Sequence, residues 1–192
     1  MRKLIVLSFM TLDGIMQMEE DSSDGFKYGG WGPPLHYSDE FSRKEMNEQL
    51  GGSYDLLLGR KTYDIFSVYW PQHKDGVIGR GFDRATKYVV SHNDLRLTWE
   101  KSILLKDVET IKKLKSQDGP DLQVHGSGNL VQTLMKHDLV DELWLKIFPL
   151  TLGTGKRLFA DGTNPAAYKL SKSMVTPLGV IFANYERTGE VI

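Results

Sequence analysis

Apolar residues along this chain fall into short continuous runs separated by glycine-rich or polar stretches. Leu4–Phe9 and Tyr54–Leu58 are unbroken, as expected of central strands covered on both faces. Lys87–Val90, Ile103–Leu105, Leu122–His125 and Leu143–Phe148 read as further strands, and Tyr168–Met174 with Gly179–Tyr185 as a closing antiparallel hairpin. Between them lie helical patterns. Ser38 reads as an N-cap, with Phe41, Met46 and Leu50 on one helical face and Gly51-Gly52 as the stop. Lys61–Phe66, Val108–Lys115 and Asn129–His137 are the other helices.

Two connections are long and rich in glycine, Met10–Pro34 and Pro71–Gly81. Loops of that length inside a compact domain are usually functional. Strands alternating with helices predict an α/β doubly wound mixed sheet, mainly parallel, with helices on both faces and antiparallel strands at the end.

Composition narrows the chemistry. A chain of 192 residues suits one domain with a single core. Twenty-four basic residues against 25 acidic ones supply no electrostatic case for nucleic acid or a membrane surface. No cysteine is present, which excludes disulfides, thiolate nucleophiles and cysteine-ligated metals. The N-terminal apolar run is too short for a signal peptide or a membrane span, so a cytoplasmic location is expected. The five histidines show no metal-ligand spacing.

Candidate chemistry lies where strands turn into helices. Gly59-Arg60-Lys61-Thr62 places two cations at a helix start, next to a macrodipole that already carries about half a positive charge. An anion there would relieve the repulsion, and free N–H groups at a helix start bind phosphate. A plain turn with two solvated cations accounts for the segment equally well. Gly126-Ser127-Gly128 likewise joins a strand to a helix, but lacks the third glycine and acidic residue of the full dinucleotide fingerprint. Ser91-His92 ends a third strand. A dinucleotide with a 2′-phosphate needs separated anion sites, and ligands of open α/β sheets lie at the carboxyl ends of the strands.

Several ordered motifs carry a family resemblance. They are Leu7-Ser8 with Asp13-Gly14, Leu58–Tyr63, Lys87–Ser91, Gly126–Val131, Asp141-Glu142-Leu143, and Pro149 with Gly153–Lys156 and Leu158-Phe159. Together they resemble the dihydrofolate reductase family, in the branch of the C-terminal reductase domain of bacterial riboflavin-biosynthesis enzymes. The resemblance spans essentially the whole chain. It implies an NADPH-dependent reductase, similar to 5-amino-6-(5-phosphoribosylamino)uracil reductase, acting on a small heterocycle or ribosyl-aminopyrimidine. A genuine dihydrofolate reductase and a non-catalytic nucleotide-binding protein are the alternatives.

By the same resemblance Gly59, Arg60, Lys61 and Thr62 would hold the cofactor phosphates. Ser91 and His92 would line the adenosine-phosphate pocket. Gly126, Ser127, Gly128, Asn129 and Leu130 would cradle the pyrophosphate and nicotinamide ribose, and Asp13-Gly14 would start a loop over the nicotinamide. Ser127 stands where dihydrofolate reductases usually carry glycine. A homodimer is also implied, with Leu143–Phe148 as a strand able to support it.

Asp13 either binds substrate or assists protonation, or else shapes its loop as an Asx turn. Trp31 and Trp70 either cap a heterocycle or plug the space under their loops. His36 and His73, in the same two loops, are candidates to border a substrate. Asp39, with Glu40, Glu45 and Glu48 on the first helix, is a candidate substrate carboxylate that spacing does not single out. Glu19-Glu20-Asp21 reads as a solvated loop face.

Overall fold

The computed structural model describes residues 1–18, 26–32 and 37–191. Glu19-Glu20-Asp21, His36 and much of the Met10–Pro34 connection lie outside the described residues.

Among the described residues eight strands form one sheet. They are β1 (Leu4–Thr11), β2 (Tyr54–Gly59), β3 (Lys87–Val90), β4 (Ser102–Leu105), β5 (Asp121–Val124), β6 (Glu142–Phe148), β7 (Ala167–Val175) and β8 (Ile181–Gly189). The order across the sheet is β4-β3-β2-β5-β1-β6-β8-β7. Pairing is parallel from β4 through β6, and β8 and β7 then add antiparallel strands. The helices are α1 (Glu40–Gly51), α2 (Arg60–Tyr69), α3 (Val77–Arg84), α4 (Val108–Ser116) and α5 (Gly128–Lys136). This is the mixed, mainly parallel α/β sheet expected from the sequence pattern.

Side-chain alternation sends each central strand's residues to two different layers. On one face Leu4, Val6, Leu57, Leu122 and Val124 pack against Ile111 and Leu114 of α4 and Leu130, Val131 and Leu134 of α5. On the other, Leu7, Leu56 and Leu58 meet Leu50 of α1, Tyr63 of α2 and Phe82 of α3. Burying each such leucine stabilises the fold by about 2 kcal/mol. The strands are buried on both faces, which explains their continuous apolar runs.

The structure corrects three local expectations. Asp39, not Ser38, caps α1, because its carboxylate reaches the Ser42 N–H at 2.7 Å. The buried face of α1 is Ser42, Glu45, Gln49 and Leu50, while Phe41 is 54% exposed. Leu50 and Met46 of the expected apolar stripe do pack inward, and Phe41 departs from it because the sheet beneath α1 also carries polar side chains. Third, the Pro71–Gly81 stretch is not all loop. It holds a short 3-10 turn, Trp70–Gln72, and the start of α3. Its glycines serve close packing: a Cβ on Gly79 would lie 1.9 Å from the His73 carbonyl oxygen, and one on Gly81 2.6 Å from that of Leu50. Leu143–Phe148, expected to support a dimer, runs inside the sheet with both backbone edges paired to β1 and β8. Among the described residues no helix is long and apolar enough to cross a membrane.

Candidate functional site

Parallel pairing puts the carboxyl ends of β3, β2, β5 and β1 side by side along one edge. The segments Ser91-His92, Gly59–Thr62, Gly126–Leu130 and Asp13-Gly14 follow those four strands in that order. The fold therefore assembles all the candidate cofactor residues in one row.

The two glycine turns touch. Gly59 donates its N–H to the Gly126 carbonyl at 3.1 Å. A Cβ on Gly59 would fall 2.1 Å from Ser127 Oγ and 2.9 Å from the Ser127 backbone nitrogen, so no larger residue fits there. Gly126 has φ +118, a conformation L side chains rarely adopt, and the peptide it makes with Ser127 is cis. Gly59 is the N-cap of α2 and Ser127 that of α5, and neither makes a side-chain capping bond. The first-turn N–H groups of both helices therefore carry no side-chain cap. Among the described residues the Thr62 and Ser127 hydroxyls make no hydrogen bond either. Two adjacent helix starts with uncommitted donors and exposed Arg60 and Lys61 suit a pyrophosphate-bearing ligand. Among the described residues Arg60 is held only by a loose contact to Asp64 at 3.9 Å. Leu130 packs its side chain into the core, leaving only backbone for the turn.

Ser91 is buried, and its hydroxyl closes a tight turn, donating to the Asn93 carbonyl and accepting from the Asn93 N–H, both at 3.2 Å. His92 is exposed beside it.

Asp13 has a different setting. It accepts from Thr11 Oγ1 at 2.5 Å, from the Gly153 N–H at 2.7 Å and from the Leu152 N–H. The Thr11 hydroxyl, and after it these backbone donors, hold its carboxyl below the usual range. A carboxylate stabilised in its charged form is a poor proton donor near neutrality. Gly14, at φ +80, donates to the Thr11 carbonyl at 3.0 Å and completes the turn. The geometry favours loop shaping of the two readings of Asp13.

Beside this row, between the sheet and α1, α2 and α3, opens a cleft of about 780 Å³. Its walls are largely aromatic and aliphatic. Trp70, Phe66 and Phe82 form one wall, with Trp70 and Phe82 edge to face at 4.8 Å. Trp70 and His73 thus border the cleft, as their loop position suggested. Trp31 does not. It is buried against Phe148 at 5.3 Å and donates its indole N–H to the Gln17 carbonyl, so it is a plug. Asp39 stays at its capping post, where the Ser42 N–H holds its carboxyl low.

Sequence reasoning missed the polar layer beneath the cleft. His125, one residue past β5, lines it. Burial, and secondarily Lys146, push the imidazole pKa down to about 3. Its Nε2 lies 3.2 Å from Gln123 Oε1, and Gln123 Nε2 donates to the Gln49 carbonyl at 3.1 Å. Lys146, fully buried, donates to Gln49 Oε1, and burial pushes its amine well below the ordinary value. Gln49 also donates to Glu45 at 3.1 Å, and Glu45 is clamped by Lys172 with both oxygens at 2.8 Å. The available signal was the alternation Leu122-Gln123-Val124-His125: two polar residues on one face of a strand that is buried on both.

A mainly parallel sheet with an antiparallel end, two touching glycine turns on its carboxyl edge and an adjoining cleft make up a dihydrofolate reductase-like fold. The chain belongs to the RibD C-terminal domain family, whose match spans residues 2–182. It is similar to the Bacillus subtilis protein YyaP, 26% identical over 98% of this chain and 96% of that one. Among solved structures it resembles a Shewanella sp. PV-4 protein described as a candidate riboflavin biosynthesis protein. That pair is 24% identical, covers 97% and 99% of the two chains and has a TM-score of 0.68. It also resembles Enterococcus faecalis dihydrofolate reductase complexed with NADP(H), at 15% identity, 97% and 96% coverage and a TM-score of 0.62.

Proposed function

We propose that this protein is an NADPH-dependent reductase acting on a small planar heterocycle of the ribosyl-aminopyrimidine kind. The observation that carries this reading is the meeting of two uncapped, touching glycine turns with an aromatic cleft, joined through His125-Gly126. Bound along that edge, NADPH supplies a hydride and the cofactor's own redox chemistry.

The chain's residues bind and orient. Backbone N–H groups of Arg60–Thr62 and Gly128–Leu130 hold the pyrophosphate, with the Thr62 and Ser127 hydroxyls beside them. Arg60 or Lys61 reads the 2′-phosphate, and Ser91-His92 flanks the adenosine side. Phe66, Trp70 and Phe82 stack on the substrate and keep water from its reacting face. His125, neutral near pH 7, and Asp13, held as the anion, are not the proton donors. The α1 carboxylates fit a folate poorly. Asp39 is committed as a cap and Glu45 to Lys172, and neither lines the cleft.

Titration with NADPH, followed by energy transfer from the tryptophans, tests the cofactor step. Quenching in the micromolar range is expected, and its absence at high micromolar NADPH overturns the reading. Arg60→Ala should weaken NADPH by roughly tenfold or more while sparing NADH, since one charge-assisted hydrogen bond contributes about 1.5–3 kcal/mol. Equal losses for both cofactors would show that Arg60 does not read the 2′-phosphate. NADPH oxidation assayed with dihydrofolate and with 5-amino-6-(5-phosphoribosylamino)uracil then separates a folate enzyme from a pyrimidine reductase.

A further inference from the structure

The sheet side of the cleft is built from Leu7, Phe9, Phe148 and Phe182, and His125 is the polar side chain on it among the described residues. How that imidazole is wired decides what it can do. Gln123 Nε2 donates to the Gln49 backbone carbonyl, which can only accept. This fixes the flip of the Gln123 amide, so its oxygen is the atom 3.2 Å from His125 Nε2. A neutral ring facing an acceptor at Nε2 must carry its proton there. Nδ1 is then a bare lone pair, and among the described residues it has no hydrogen-bond partner. Phe82 and Phe66, with ring centroids 5.1 and 6.2 Å from the imidazole, hold the ring in place.

We infer that His125 Nδ1 is a specificity-determining acceptor for a ring or exocyclic N–H of the substrate, and that the cleft selects uncharged planar heterocycles bearing such a donor. The inference rests on the reading of the cleft as the substrate site. A lone acceptor set among aromatic walls is costly to leave unpaired once a ligand displaces water from it. It favours a lactam or amino-pyrimidine edge over an N-alkylated one. The burial that keeps the ring neutral also keeps the lone pair available across the ordinary pH range.

Lumazine and 1,3-dimethyllumazine are suitable probes, because both are flat and only the first carries ring N–H groups on its pyrimidine half. Their binding is followed by tryptophan quenching in the absence of cofactor. The wild type should bind lumazine about tenfold more tightly, the worth of one neutral hydrogen bond. His125→Asn, whose side-chain oxygen can stand in for Nδ1, should keep most of that preference. His125→Phe should lose it while still unfolding cooperatively in urea.

Equal affinity of the wild type for both probes, binding of neither, or a preference that survives in His125→Phe would overturn the inference. The last result would trace the preference to the bulk of the methyl groups. Failure of NADPH to bind the wild type would instead sink the reductase reading, and the probe measurements would still judge His125.

Discussion

The two faces of the sheet are built on different rules. Beneath α4 and α5 the central strands present mainly aliphatic side chains, with the buried Arg2–Asp55 ion pair at the amino end of β1 and β2 as the charged exception. Beneath α1, α2 and α3 the same strands place Gln123, Lys146 and Lys87 among aromatic rings, and His125 follows directly after β5. Burying polar groups costs stability unless each finds a partner. Here partners are supplied: Gln49 for Gln123 and Lys146, and the Asp83 carbonyl at 3.2 Å for Lys87, whose amine also sits over the Trp99 ring. The first face holds the fold together. The second also shapes the cleft, and its polar wiring orients one imidazole toward it.

The sharpest way to break this contrast is a deletion on the aliphatic face. Leu57→Ala should destabilise the protein by about 2–5 kcal/mol in urea denaturation, the usual range for a large-to-small core change. Its folded fraction should bind NADPH with unchanged affinity. A large loss of cofactor affinity would mean that the two faces are not separate in function.

Gln123→Leu tests the other face. It strips the Gln49 carbonyl of its donor and should cost about 1–3 kcal/mol. It also frees the His125 tautomer, so lumazine discrimination should fall along with stability. Full discrimination in this variant would show that the wiring through Gln123 is irrelevant to ligand choice.

The remaining tests of the contrast are in pH. The His125 pKa is about 3 in the folded state against 6.5 ordinarily. As pH falls from 6.5 toward 3, the unfolded chain gains a proton that the folded one refuses, and stability drops. His125→Asn should therefore lose less stability than the wild type between pH 7 and pH 4. Lys87 behaves in the same sense at the alkaline end. Burial brings its amine to about 8 from 10.5, so its contribution falls as pH drops from 10.5 to 8, and Lys87→Met should flatten that slope. Parallel pH curves for wild type and variants would refute the assignments.

Some of this was legible in the chain. Continuous apolar runs marked β1 and β2 because a strand covered on both sides has no polar face to alternate with. Glycines before helical segments marked the two turns at Gly59 and Gly126, since their chemistry is local. The ordered motifs pointed to the family. Other features depended on contacts between distant segments. The glycines of α3 read as loop because their reason, close packing against His73 and Leu50, lies outside the helix itself. Phe41 read as core because nothing in α1 reveals that the sheet below it is polar.

The sequence by itself determined the strand and helix pattern, the family and the position of both glycine turns, since each rests on neighbours along the chain. Tertiary structure alone decided that four strand ends form one row and that the Gly59 and Gly126 turns touch. It alone decided that Trp31 is a plug while Trp70 borders the cleft. It also assigned the tautomer of His125, through a glutamine amide locked by a carbonyl 74 residues away. Those facts depend on sheet order and on side chains meeting across the fold, where spacing along the chain carries little information.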